Sequence, residues 1–132
     1  MESGQLRIGY IHFAFLNEQS LLTAEASECA AEQDQFWAYH DYLFEVWDNT
    51  NPNTFSQENL RQYAADLDLD TTLFNECMDS GRMKAVVQQD TEFARQIGVS
   101  STPTFALNGK PIRGALPFPQ FQTAIEEELQ KE

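Results

Sequence analysis

Hydrophobic and polar positions alternate in three different ways along this chain of 132 residues. From Leu6 to Phe15 (LRIGYIHFAF) large apolar side chains occupy both parities of an extended run, which predicts a strand buried on both faces, as in an α/β sheet. His12 falls inside that run. With no nucleophile or carboxylate near it in sequence, it reads as a packed or hydrogen-bonded strand residue and not as a catalytic base. From Ser20 to Ala31 the period changes to that of a helix: Leu21, Leu22, Ala24, Ala26, Cys29 and Ala30 form a small-residue face, with Glu25, Glu28 and Glu32 outside. Phe36 to Trp47 (FWAYHDYLFEVW) predicts a second helix whose aromatic stripe belongs to the core. His40 on it is solvated or bonded to Asp41 or Glu45.

The helical pattern continues beyond a loop at Asp48–Asn53. Ser56 caps a third helix carrying Leu60, Tyr63, Ala64 and Leu67, and Asp70 caps a fourth with Leu73, Phe74, Cys77 and Met78, ending near Ser80-Gly81. A long helix from Arg82 to Ile97 presents Met83, Val86, Val87, Phe93 and Ile97, and Gly98 closes it. The third pattern then begins. Pro103 precedes a short apolar strand, and Asn108-Gly109 turns that strand back on itself. Both central residues of a type I′ turn need positive φ, so Asn-Gly between extended runs predicts a hairpin. Gly114 and Pro117 lead to a last helix of Phe118, Phe121, Ala124, Ile125 and Leu129, with Glu126-Glu127-Glu128 as a solvated face. Strand, helical block, hairpin and helix together predict an α/β or α+β fold with a small mixed sheet in one domain.

Charge narrows the function. Twenty-one acidic against eight basic residues leave a net charge of −13, which repels phosphate backbones and anionic membrane surfaces. No apolar run approaches the roughly 20 residues of a membrane span, and Met1–Gln5 has neither the basic start nor the apolar stretch of a signal peptide. Cys29 and Cys77 are too far apart for a Cys-X-X-Cys pair, and with two histidines elsewhere they make no zinc pattern. On the residues alone they are either two buried thiols or a structural disulfide. No metal or other cofactor is implied.

The stretch Gly98-Val99-Ser100-Ser101-Thr102-Pro103-Thr104-Phe105, the Asn-Gly hairpin and Gly114-Ala115-Leu116-Pro117-Phe118 together resemble the C-terminal half of DsbA-like thiol–disulfide oxidoreductases. Glu28-Cys29-Ala30-Ala31-Glu32-Gln33, Phe36-Trp37, His40-Asp41-X-Leu43-Phe44, Phe55-Ser56 and Phe74–Gly81 are similar to that family's inserted helical subdomain. The resemblance implies an incomplete thioredoxin-like fold, predominantly helical with a small sheet and a C-terminal hairpin. Residues 1–16 and 98–132 would form the thioredoxin-like part and residues 17–97 the helical insertion. It also implies that Pro103 is a cis-proline whose loop holds an extended substrate peptide, with Thr102 facing the reactive thiol. Cys29 and Cys77 match positions where some relatives carry a structural bridge, which would close a loop of about 48 residues worth about 4 kcal/mol.

The chain departs from the family at the redox centre. The family's first strand and the helix bearing Cys-X-X-Cys have no counterpart here, and His12-Phe13 is followed by Ala14 where relatives have proline. Disulfide exchange needs a thiolate that attacks a disulfide sulfur, so no catalytic residue is assigned and the chain as it stands is expected to be inactive. Its partners would be protein or peptide thiols and disulfides. Strand edges left open by the missing strand predict self-association into a homo-oligomer. Two other readings remain: a non-catalytic dimerisation or partner-binding module, and a relative of kappa-class glutathione transferases and isomerases.

Overall fold

The computed structural model describes residues 3–131. Among them, six helices and two strands follow one another as α1 (Glu18–Ala31), α2 (Phe36–Val46), α3 (Gln57–Asp66), α4 (Thr71–Ser80), α5 (Lys84–Gln96), β1 (Thr104–Leu107), β2 (Lys110–Arg113) and α6 (Phe118–Leu129). Backbone packing divides the chain into two units. One is His12–Glu92, and the other joins the described residues up to Ile11 with those from Phe93 onward.

The unit His12–Glu92 holds the hydrophobic core. Three of its helices start on side-chain caps: Asn17 accepts from the Ser20 amide at 3.0 Å, Ser56 from Asn59 at 3.2 Å and Asp70 from Leu73 at 3.1 Å. Each such cap satisfies an amide that the first helical turn leaves open and contributes about 1 kcal/mol. Gly81, at φ 66°, stops α4 in the left-handed region. Small residues on α1 then let it sit among α2, α3 and α4, with Ala26, Cys29 and Ala30 buried against Tyr39, Leu43, Leu60, Ala64, Leu69, Phe74 and Cys77. Cys29 and Cys77 are 1% exposed and joined by a disulfide, their Cα atoms 5.8 Å apart, so α1 and α4 are covalently tied at the centre of the core. Tyr39 crosses the same core, and its hydroxyl donates to the Leu60 carbonyl at 2.8 Å. Burial pushes that phenol up from its ordinary value, so it stays neutral and remains a donor.

Three expectations need correction. The run Leu6–Phe15 makes no strand ladder among the described residues, and Ile8, Tyr10 and Ile11 are exposed on it. A strand is defined by its partner, and apolar content on both faces does not supply one. The carboxylates of α1 are also not all on an outer face. Glu25 is buried, which raises its carboxyl against the opposing pull of Lys84, and Glu28 bonds the ring of His12 at 2.8 Å. The Asp90 carboxylate accepts the His12 amide at 3.1 Å, and the Thr91 hydroxyl accepts the Ala14 amide at 3.2 Å while donating to Val87 at 2.9 Å. Helix α1 is thus covered on more than one side, and the small-residue stripe marked only one of them. Finally, the aromatic stripe of α2 divides: Tyr39 and Leu43 are buried, whereas Trp37, Phe44 and Trp47 are exposed.

Replacing Cys29 and Cys77 together by Ala should lower unfolding stability by about 4 kcal/mol, the chain-entropy value for a loop of about this length. Urea titration of the purified variant measures this. A loss below about 1 kcal/mol would mean that packing alone holds α1 to α4.

Candidate substrate loop

The second unit carries the stretch that the sequence marks as functional. Helix α5 ends in a tight closure, with the Gly98 amide on the Arg95 carbonyl at 3.0 Å and the Val99 amide on Ala94 at 2.9 Å. Gly98 sits at φ 93°, a conformation that a side chain would strain. The chain then crosses an exposed loop, Ser101-Thr102-Pro103, in which the Thr102–Pro103 peptide bond is cis. The Thr104 hydroxyl donates back to the Ser101 carbonyl at 2.7 Å and braces the loop from inside. The Pro103 carbonyl accepts the Gly114 amide at 2.9 Å, which continues the hairpin by one bond beyond its last strand pair.

Strands β1 and β2 pair antiparallel with Thr104 opposite Arg113 and Leu107 opposite Lys110. Asn108 (φ 49°) and Gly109 (φ 84°) both take the positive φ that a two-residue turn of this hand requires. The sheet has two strands, so the other edge of β1 has no strand against it among the described residues. Helix α6 fixes the hairpin from one side. Phe105 meets Phe121 edge-to-face with ring centroids 4.8 Å apart, and Glu128 accepts from Lys110 at 2.6 Å, Lys131 at 2.8 Å and Asn108 at 3.2 Å. These three donors, Lys110 foremost, hold the Glu128 carboxyl down at about 2. Glu128 is therefore not part of a solvated acidic face, contrary to the reading of Glu126-Glu127-Glu128. Two of its partners, Asn108 and Lys110, lie at a turn some twenty residues earlier, and no local pattern announces them.

Of the residues marked in the sequence, Thr102 and Pro103 lie together in the exposed loop, while Cys29 and Cys77 lie together in the core of the other unit. The two cysteines of the sequence are consumed by one disulfide, so neither offers a thiolate. Among the described residues no cluster of three histidine, cysteine or carboxylate side chains could hold a metal, and no helix is long and apolar enough to cross a membrane.

A hairpin, a closing helix and a separate helical unit match a thioredoxin-like fold. A thioredoxin family model matches residues 1–127. A thioredoxin-like oxidoreductase from Silicibacter pomeroyi superposes with a TM-score of 0.77 over 93% of this chain and 68% of its own, at 23% identity, which bears on the fold alone. Disulfide bond formation protein D of Bacillus subtilis is 26% identical over 136 residues, 98% of this chain and 60% of that protein. A Na(+)/H(+) antiporter NhaA of Salinispora tropica is 40% identical over 93 residues, 70% of this chain but 14% of the antiporter. The chain belongs to the thioredoxin family. It spans less than two thirds of the curated relatives it matches, 60% of the Bacillus subtilis protein and 14% of the antiporter.

Holding the Glu128 carboxyl below its ordinary value of 4.5 means that its bonds, two of them to the hairpin, stabilise the fold fully above that pH. The contribution is lost as pH falls from about 4.5 to about 2. In a carboxyl NMR titration, Glu128 should titrate near 2 and move up toward 4.5 in Lys110→Ala. A wild-type midpoint near 4.5 would contradict the clamp.

Proposed function

We propose that this chain is the substrate-holding portion of a DsbA-like protein thiol–disulfide oxidoreductase, in which Thr102 and Pro103 hold an extended peptide and the redox cysteines are supplied by a Cys-X-X-Cys segment that these 132 residues do not include. The observation that carries the reading is the exposed Ser101–Pro103 loop running directly into β1, whose second edge has no strand against it among the described residues. Such an edge accepts an extended chain by main-chain hydrogen bonding, with affinity from the backbone and specificity from alternate side chains. Exchange itself needs a thiolate to attack a disulfide sulfur and a second thiol to leave. With Cys29 and Cys77 bonded to each other and buried, the chain by itself has no group for that step, and the bridge is assigned a structural role. Ion antiport is not carried over from the antiporters, because the shared stretch is a small fraction of them.

An insulin-reduction assay tests this. The chain alone should not accelerate reduction by dithiothreitol over buffer, and a version extended by an upstream strand and Cys-X-X-Cys helix should. Acceleration by the chain alone would overturn the reading.

A second reading, association of two copies through the hairpin unit, is favoured by the exposure of Ile8, Tyr10, Ile11, Phe93, Ile97, Phe105 and Phe118 in that unit. Sedimentation across micromolar concentrations should then show a dimer. A strictly monomeric species would remove this reading and leave the first intact.

A further inference from the structure

The two faces of the hairpin are not equivalent. Phe105 meets Phe121 and Lys110 meets Glu128, so the face of Phe105, Leu107, Lys110 and Ile112 is the one turned to α6. Strand alternation puts Thr104, Ala106, Pro111 and Arg113 on the other face. That face is small and uncharged except at Arg113. Arg113 is exposed, and among the described residues its guanidinium has neither a hydrogen bond nor an ion pair, whereas Lys110 on the same strand is held by Glu128 at 2.6 Å. The register also says which backbone groups are open. The Gly114 amide bonds the Pro103 carbonyl at 2.9 Å, and bonded positions then alternate along the ladder. Thr104 and Ala106 therefore turn their amides and carbonyls to the edge of β1 that has no strand against it among the described residues. Pro111, which has no amide proton to give, falls at an unbonded position opposite Ala106, as this alternation requires. Thr104 and Arg113 are likewise an unbonded pair, the kind in which facing side chains come closest.

A peptide paired to that edge would lie one strand spacing beyond β1, about 10 Å from β2. An arginine side chain is long enough to pass over a threonine, and an acidic side chain on the peptide closes the remaining distance. Guanidinium binds carboxylate in a two-pronged, charge-assisted pair, which an amide or alkyl group cannot match. The net charge of −13 repels a heavily acidic chain. What Arg113 can select is therefore one carboxylate within an otherwise neutral or basic stretch. We propose that Arg113 is a specificity-determining residue of the substrate loop, favouring extended peptides with a glutamate or aspartate opposite Thr104. The inference rests on the proposal that this loop and edge receive a polypeptide, and adds to it the charge of one substrate position.

Unfolded peptides of one sequence, their cysteine blocked by alkylation, test this. Each carries a single glutamate, moved from position to position, and the neutral parent has glutamine in its place. Binding is followed by the amide shifts of residues 100–107 in the labelled protein. At one position glutamate should tighten binding about fivefold over glutamine, the size expected of an exposed ion pair, and added salt should erase the gain. In Arg113→Gln the ratio of glutamate to glutamine affinity should fall to about one. In Arg113→Glu a lysine at that position should become the favoured residue. Peptides that bind at residues 100–107 with no position preferring glutamate, or a preference that survives in Arg113→Gln, would overturn the inference and leave the loop reading standing. If none of the peptides moves residues 100–107, the loop reading falls and this inference falls with it.

Discussion

The helical unit depends on one contact, the crossing of α1 and α4 where Cys29 and Cys77 are bonded. The small side chains of α1 bring its backbone close enough to three other helices for their larger residues to meet. Tyr39 and Phe74 are the large residues placed by that approach, with ring centroids 5.7 Å apart. Close packing of this kind leaves little freedom to shift, since interiors are as dense as organic crystals. A covalent tie at the same point limits the ways the unfolded chain can spread, and so adds stability where packing is already tightest. The bridge also removes both thiols of the sequence from chemistry. One bond therefore ties two helices of the core and leaves neither sulfur as a thiolate.

The hairpin unit rests on different physics. Two strands of four residues bury little, and a hairpin by itself is marginal in water. Here α6 supplies an apolar contact through Phe121 and a charged one through Glu128, which gathers both the turn and the end of β2's first residue into one cluster. That leaves the Thr102-Pro103 side of the hairpin exposed and the far edge of β1 without a strand among the described residues. Rigid support on one side and open backbone on the other is the arrangement that a strand-accepting site requires.

How much of this was legible in the residues follows from the range of each interaction. The caps at Ser56 and Asp70, the stop at Gly81 and the Asn108-Gly109 turn are contacts within about four residues, so the local pattern carried them. The helix order and the family resemblance were legible for the same reason, each resting on contiguous motifs. Asn17 was missed as a cap because the apolar pattern begins later, at Leu21. The failures are long-range. Leu6–Phe15 has the content of a strand, but strand pairing is decided by another segment. Glu28 with His12, and Glu128 with Lys110 and Asn108, bind partners 16 to 20 residues away. Trp37, Phe44 and Trp47 share hydrophobicity with Tyr39 and Leu43, and only the position of neighbouring helices decides which of them is covered.

The central claim is that the loop at Thr102-Pro103 and the open edge of β1 receive an extended polypeptide. Backbone amide NMR of the labelled protein, titrated with an unfolded cysteine-containing peptide blocked by alkylation, tests it without any redox step. The account predicts saturable shift changes centred on residues 100–107, with the amides of the disulfide-tied core unmoved. No change in that stretch at saturating peptide, or changes confined to other parts of the chain, would contradict it.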